Sequence, residues 1–374
     1  MYLSRLNLSN FKNYSEIDIK FSPRINCFVG DNGVGKTNIL DAIHYLSLTK
    51  SYFVSIDSVN VKHGEEFFII KGSFGNSAEN EEIMCGLQKG KRKVFKRNGK
   101  EYTRISDHIG RYPVVMVSPA DSSIISDGSE ERRKFMNNVI SQFNRDYLNN
   151  IIAYNKALKQ RNRLLKDYAA EGKFDRQMLE LWEDRMLDPA MKIYESRAAF
   201  VDHIVPLFQE YYDHISDQRE KVSLEYRSQL SKSSMKELFE KNIDKDRVMR
   251  YTTSGIHRDD LKLKMNNYNI KDIGSQGQQK TYVVALKLAK FDYIRDMGGN
   301  LPVLLMDDVF DKFDEMRVAQ IIKLVSEKRF GQIFVTDTHR ERMQAVLSSI
   351  NIDYSLFLID EGVTEIMHNG KKPD

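Results

Sequence analysis

One eight-residue stretch restricts this chain to a narrow set of folds. Gly30-Asp31-Asn32-Gly33-Val34-Gly35-Lys36-Thr37 fits the spacing Gly-x-x-x-x-Gly-Lys-Thr in full. It follows an apolar, strand-like run, Ile25-Asn26-Cys27-Phe28-Val29. It leads into a helical pattern from about Asn38 to Leu48, with Ile39, Leu40, Ile43 and Leu46 on one side. Strand, glycine-rich loop and helix in that order describe a phosphate cradle. Glycines let backbone N–H groups turn inward, and the helix start adds partial positive charge. Lys36 reaches the β- and γ-phosphates, and the Thr37 hydroxyl ligates Mg2+. The pattern predicts an α/β fold that binds a nucleotide through Gly30 to Asn38.

Such a cradle needs an acid at the end of a neighbouring strand to hold the metal. Leu304-Leu305-Met306-Asp307-Asp308 supplies one, with the acids emerging at the carboxyl end, where α/β sheets bind ligands. Asp307 is the metal-side acid, acting directly or through water, and Asp308 orients or deprotonates the attacking water. Taken alone, the same acids could cap a following helix. Lys36 and Asp307 stand near opposite ends of the chain, which predicts a split ATPase whose halves bracket an insertion. A second loop, Gly274-Ser275-Gln276-Gly277-Gln278-Gln279-Lys280, precedes a helical pattern reaching Arg295. Ser275 and Gly277 could present a hydroxyl and backbone amides to a phosphate, or Ser275 could be a plain N-cap.

Between these motifs the character of the chain changes. Three strands are expected before residue 30. Asn98-Gly99 signals a hairpin, and Val114 to Val117 reads as a strand ended by Ser118-Pro119. From about Glu130 to Lys241 the sequence is charged and helix-forming, with a stripe at Tyr147, Ile151, Tyr154, Leu158 and Leu165 that is too short and irregular for a long coiled coil. Strands return at Leu261 to Met265, Val303 to Met306 and Gln332 to Thr336. The expected divisions are 1–121, an ATPase half with the P-loop; 122–245, a helical arm; and 246–374, the other half. With 374 residues, 41% hydrophobic and 29% charged, the composition suits a soluble globular protein. No apolar run approaches the ~18 residues of a membrane span. Cys27 and Cys85 form no metal or disulfide pattern, so a reducing cytoplasm is expected.

A split P-loop, a Ser-Gln-Gly-Gln loop and an apolar strand ending in two acids together resemble an ABC-type ATPase of the SMC branch. The resemblance implies that two subunits sandwich ATP, with Ser275, Gly277 and Gln278 acting across the dimer and Asp314 at the D-loop position. Finer blocks resemble the RecF family of bacterial recombination mediators: Leu8-Ser9-Asn10-Phe11-Lys12-Asn13-Tyr14, Ser118-Pro119-Ala120-Asp121, Arg132-Arg133-Lys134-Phe135, Tyr154 to Asn162, and Gly255-Ile256-His257-Arg258-Asp259-Asp260. This implies an ABC/SMC-type head with an inserted helical arm, and an ATP-closed homodimer on gapped or junction DNA. It also implies help in loading RecA, with RecR and RecO as partners. Departures are Ala120 for Glu, Ile256 for Pro, a D-loop lacking Ser-Glu-Leu, and Asp337 where many ABC ATPases carry a switch histidine; His339 lies two residues later. Asp308 stands where Glu is common, and its shorter side chain implies a slow switch rather than a motor. Rival readings are an SMC-type structural clamp, a transporter ATPase, an ATPase-linked nuclease and an ATP switch acting on a protein partner.

The net charge of +4 decides nothing about DNA by itself. Lys89, Lys91, Arg92, Lys93, Lys96, Arg97, Lys100 and Arg104 cluster around the hairpin turn, with Phe95 and Tyr102 interleaved. Of these, Lys91, Arg92, Lys93, Lys96 and Arg97 are the candidate phosphate contacts, although strand alternation sends neighbouring charges to opposite faces. Lys156, Lys159, Arg161 and Arg163 on the arm are further candidates. His257 and Arg258, beside Asp259 and Asp260, could serve metal or acid–base chemistry, but the preferred reading is structural, as braces of the interlobe region.

Overall fold

Alternating burial marks the opening of the chain in the computed structural model, which describes residues 2–75, 80–216, 220–310, 315–327, 329–350, 352–360 and 363–369. β1 (Tyr2–Phe11) buries Leu3, Leu6, Leu8 and Phe11 and pairs antiparallel with β2 (Tyr14–Lys20). β3 (Ile25–Val29) is buried at every position, and α1 (Lys36–Leu48) follows the glycine loop. β4 (Phe67–Gly75), β5 (Asn80–Gln88), β6 (Val94–Arg97) and β7 (Lys100–Glu101) complete an antiparallel sheet in the order β2-β1-β4-β5-β6-β7. The β6–β7 turn is Asn98-Gly99, both at positive φ, as a two-residue hairpin requires. β8 (Val114–Val117) is again wholly buried.

The helical region then runs α2 (Ser123–Ser126), α3 (Ser129–Ile140), α4 (Arg145–Glu171) and α5 (Arg176–Ser216). β9 (Val222–Arg227), α6 (Met235–Met249), β10 (Asp260–Met265), β11 (Tyr268–Asn269), α7 (Ile270–Ile273) and α8 (Gln276–Gly298) follow. The last stretch holds β12 (Val303–Met306), α9 (Glu315–Val325), β13 (Ile333–Asp337), α10 (Arg340–Ser349), β14 (Tyr354–Ile359) and β15 (Val363–Asn369). β3 and β8 join these late strands in a sheet ordered β15-β14-β3-β13-β12-β8, parallel throughout except for β15. Continuous apolar runs rather than alternation are what a parallel sheet covered on both faces demands.

The chain divides into one unit of residues 1–121 with 294–374 and a second of 122–293. The first division coincides with the expected boundary at 121. The second lies at 294 rather than 246, because β10 pairs residue by residue with β9, an unforeseen strand, and this ties residues 260–265 to the helical unit. Within that unit, α5 carries a stripe at Leu179, Glu183, Met186, Ala190, Ile193, Arg197, Phe200 and Ile204, every one buried. The helix continues through Pro189 and Pro206. On α4 the buried face is Tyr147, Tyr154, Ala157, Arg161 and Leu165; Ile151 and Leu158 of the expected stripe are half-buried.

Arg161 is therefore a core residue and no candidate for DNA. Its guanidinium donates to Glu183 at 2.8 Å, Asp246 at 2.7 Å and the Thr252 hydroxyl at 2.8 Å, joining α4, α5, α6 and the chain beyond them. Arg197 makes a second such node, with Asp259 at 2.8 Å and the Ile256 carbonyl at 2.9 Å. His257 is a brace within the helical unit: Nε2–H donates to the Thr252 carbonyl and Nδ1 accepts from the Tyr154 hydroxyl. Burial depresses its pKa to about 4. His108 in the first unit is fully buried, donates to the Leu46 carbonyl, and is likewise pushed down to about 4 by burial.

Two stability measurements follow from these groups. Arg161→Met leaves Asp246 buried without its cation and Glu183 with Arg176 alone, and should cost about 3–5 kcal/mol in urea unfolding, whereas Lys159→Met should cost under about 0.5 kcal/mol. The two histidines are neutral when folded but protonate near pH 6.5 when unfolded, so the unfolded chain binds more protons below that pH. Their stabilisation is complete above pH 6.5 and falls as pH drops toward 4. Unfolding at pH 5 should reveal a loss on the order of 1–2 kcal/mol for each, absent from a His108→Gln/His257→Gln variant's pH slope.

Candidate functional site

The glycine loop is held from behind before any ligand is considered. Gly35 has φ +115°, and a Cβ there would lie 2.5 Å from Asn13 Nδ2 and 2.7 Å from the Tyr14 hydroxyl. Asn13 donates to the Val34 carbonyl at 3.0 Å and accepts from Asn38 Nδ2 at 2.7 Å. The β1–β2 turn thus fixes both ends of the Val34–Asn38 segment. Asn13 and Tyr14 carry this role without any sign in their spacing; only the clash at Gly35 reveals it. Gly30 is constrained too, since a Cβ would meet the Ile359 carbonyl at 2.2 Å. Asp31, Asn32 and Gly33 form the exposed turn of the loop. The Lys36 ammonium, buried, donates to the Gly30 and Asp31 carbonyls, each at 2.7 Å.

The opposite ends of the chain meet at this loop. The Thr37 hydroxyl donates to Asp307 Oδ1 at 2.8 Å. Strand order corrects the expectation of a neighbouring strand: β13 lies between β3 and β12, so the acid-bearing strand is the next but one. Thr336 on β13 fills that gap. Its hydroxyl donates to Asp307 Oδ1 at 3.0 Å and accepts the Asp308 N–H at 2.8 Å. Sequence reasoning passed over Thr336, whose only signal was its place at the end of an apolar strand. Burial raises the Asp307 carboxyl above its ordinary range; the Thr37 and Thr336 hydroxyls and Lys36 oppose that shift, and Asp308 adds to it. Asp308 itself sits at φ +43°, an unusual backbone conformation for a side-chain-bearing residue.

A hydroxyl and a carboxylate oxygen converging beside a phosphate loop suit Mg2+, a hard cation that takes few protein oxygens and completes its shell from water and phosphates. Among the described residues no cluster of three His, Cys, Asp or Glu could hold a metal without such help.

In the second unit, Ser275 and Gly277 are exposed at the start of α8, and nothing lies within 4 Å of a Cβ built on Gly277. Gln278 is engaged. Its side-chain oxygen accepts the Ser275 N–H, its own N–H donates to Ser275 Oγ, and its amide donates to Glu220 at 2.7 Å. This reciprocal cap is the N-cap alternative realised, and it leaves Gly277 open. Asp314, the D-loop position, lies outside the described residues.

Comparisons with known proteins accord with this geometry. A family model for an AAA ATPase domain matches residues 1–294. The DNA replication and repair protein RecF of Phocaeicola vulgatus is 47% identical over 368 residues, 98% of each chain. The chain belongs to the RecF family. RecF of Bacteroides fragilis is 45% identical over the whole of both chains. A solved structure of the recombination mediator RecF with ATP superposes with a TM-score of 0.88 at 28% identity, covering 98% of each chain. An SMC head domain bound to a winged-helix domain of ScpA has a TM-score of 0.58 at 17% identity, which speaks for the shared fold alone. Among the described residues no helix is long and apolar enough to cross a membrane.

The basic hairpin of this RecF-family chain does not form one charged face. Lys93 turns inward, donating to Asp57 at 2.7 Å and the Thr49 carbonyl at 2.5 Å, with its ammonium 4.9 Å from the Tyr45 ring centroid. Arg97 is paired with Glu81 through Nε at 2.9 Å. Lys96 is half-buried, while Lys91 and Arg92 are exposed. Alternation along β6 and two acids on neighbouring segments account for the difference from a continuous patch.

Thr336→Val removes one hydroxyl that serves both Asp307 and Asp308. Steady-state ATP turnover should fall about tenfold or more, the worth of a hydrogen bond to a charged group. ATP binding should stay within about threefold, because Lys36 and the loop amides are untouched.

Proposed function

We propose that this chain is an ATP-switched DNA-binding protein of recombinational repair and replication restart. The observation that carries the reading is Thr37 and Asp307, drawn from opposite ends of the chain and 2.8 Å apart beside the glycine loop. In this reading Lys36 and the amides of Gly33 to Thr37 hold the phosphates. Thr37 and Asp307 would hold Mg2+, which when bound neutralises phosphate charge. Asp308 positions the attacking water, and its short side chain makes hydrolysis slow, suiting a switch that resets.

ATP closes a head-to-head homodimer because Ser275 and Gly277 of one copy complete the phosphate site of the other; their exposure supports this role. The energy is a population shift, since ATP favours the closed dimer over open monomers. Closure forms a cleft for gapped or junction DNA. Lys91 and Arg92 on the hairpin and Lys156, Lys159 and Arg163 on the arm, all exposed, are the cations available to it. Reset by hydrolysis releases the complex. RecR and RecO are the partners this reading implies, loading of RecA is its outcome, and the cytoplasm is its place. The engagement of Lys93 and Arg97 in ion pairs thins the DNA surface and favours one alternative, an ATP switch that acts chiefly on a protein partner.

Binding of a labelled gapped duplex with ATP, ADP or no nucleotide separates the two. Tight binding with ATP alone, lost in Lys36→Met and weakened at least fivefold in Lys91→Gln/Arg92→Gln, is the expected result. Binding indifferent to nucleotide would sink the DNA clamp and leave the protein-partner switch.

A further inference from the structure

The C-terminal ends of α4 and α6 enclose an open cavity that has no part in the site described above. It measures about 480 Å3 and lies wholly within the second unit. Leu165, Tyr168 and Gly172, at helical spacing, line it from one face of α4. Asp244, Arg247 and Val248 line it from one face of α6, and Lys173 and Phe174 of the α4–α5 turn close the third side. The Arg161–Asp246 ion pair ties the two helices about one turn away, so the walls are fixed. Interiors are ordinarily packed without voids of this size. The volume falls within the roughly 300–1,000 Å3 of ligand sites.

The polar side chains of the cavity are mostly donors. The Tyr168 hydroxyl is buried and has no partner among the described residues. Lys173 is exposed, and its ammonium has no acceptor among them. The Arg247 guanidinium lies 4.3 Å from the Phe174 ring centroid, and Phe174 meets Tyr168 edge to face at 5.6 Å. This stack holds the cation at the rim. Asp244 is the one acid among the lining residues, and it stands 3.6 Å from Arg247 Nη1. Nearby, Asp175 is engaged in capping α5, accepting the Met178 N–H at 3.0 Å, and the exposed Glu171 is outnumbered by the exposed Lys245 and Arg250. The rest of the lining is apolar, with Leu165 buried and Val248 79% exposed.

We propose that this cavity docks an acidic peptide segment of a partner protein. An apolar side chain of the segment sits against Leu165, Phe174 and Val248, and its carboxylates meet Lys173 and Arg247. The Tyr168 hydroxyl donates to one of its carbonyl or carboxylate oxygens. Charge complementarity selects this occupant. Donors without acceptors call for an anionic, acceptor-rich ligand, and apolar walls call for an apolar group beside the charge. A nucleic-acid backbone fits less well. Both helices end here, and their last carbonyls carry partial negative charge and lack intrahelical donors. A peptide main chain brings N–H groups to them, whereas a phosphodiester brings none. The site does not depend on the nucleotide reading given under Proposed function.

The test is fluorescence polarisation of a labelled peptide, Asp-Glu-Asp-Leu-Phe, titrated with the full chain. Saturable binding is expected. A peptide with Lys for each acid, and another with Ser for Leu and Phe, should each bind about tenfold more weakly or worse. Lys173→Glu should weaken binding about fivefold, and Tyr168→Phe by a similar factor, the worth of one hydrogen bond. Val248→Asp should weaken it about tenfold, because it sets a charge against the apolar anchor. Lys173 and Val248 are exposed, so their variants keep the fold and its urea midpoint. A wild-type chain that does not bind the peptide overturns the proposal, as does binding that Lys173→Glu and Val248→Asp leave unchanged. A labelled single-stranded oligonucleotide whose binding Val248→Asp abolishes, and which the peptide does not displace, assigns the cavity to nucleic acid and overturns it too. Lys36→Met should bind the peptide as the wild type does; loss of the peptide there moves its site to the phosphate loop and removes the assignment.

Discussion

A chain of hydrogen bonds from Thr37 through Asp307 to Thr336 and the Asp308 N–H ties the glycine loop to the late strands. It joins the start of α1 to the carboxyl ends of β12 and β13 in a place where water is scarce. Such a chain is cooperative: in a low-dielectric interior each bond polarises the next, and an unmade bond is costly. That constraint explains why small hydroxyls stand at the ends of otherwise apolar strands. An apolar residue at Thr336 would remove one of the two hydroxyl donors to the buried Asp307 carboxylate and the acceptor of the Asp308 N–H. The raised pKa direction of Asp307 is the remaining cost of that burial.

The second unit solves a related problem on a larger scale. Arg161 and Arg197 occupy positions that a helical stripe reserves for apolar side chains. Each is met by at least one carboxylate and by further acceptors. A buried ion pair contributes little net stability against an apolar replacement, but its directionality penalises wrong pairings. Helices α4, α5 and α6 could slide by a turn over apolar contacts at small cost. Sliding Arg161 away from Glu183 and Asp246 strands two charges, Arg161 and Asp246, while Glu183 keeps Arg176. The two arginines therefore act on register more than on depth of stability.

Much of this was legible in the residues. Gly30 to Thr37, the run ending at Asp307 and the Asn98-Gly99 turn carry short-range signals that context seldom overrides, and each appears where its chemistry places it. The arm was harder to read. Its α5 stripe includes Glu183, Ala190 and Arg197, which a search for apolar periodicity skips, and its interior prolines argue locally against a 41-residue helix. β9 was hidden because its pairing partner, β10, comes more than thirty residues later. Arg161, Lys93 and Arg97 read as surface charge because the acids that bind them lie on other elements. Sequence spacing reports neighbours along the chain; these residues are governed by neighbours across it.

The strand order has a further consequence for how the chain is made. β3, with the P-loop, is flanked by β13 and β14, which emerge from the ribosome some 300 residues later, roughly 15–60 s at ordinary synthesis rates. Throughout that interval a five-residue apolar strand has no sheet to join, whereas β1, β2, β4 and β5 find partners nearby and the α4–α5 hairpin closes on itself. The antiparallel sheet and the helical unit are thus free to form during translation, and the parallel sheet around the glycine loop is the last part to assemble. Its central strand is then the segment most exposed to wrong pairing in the nascent protein, and the one for which chaperone protection matters most.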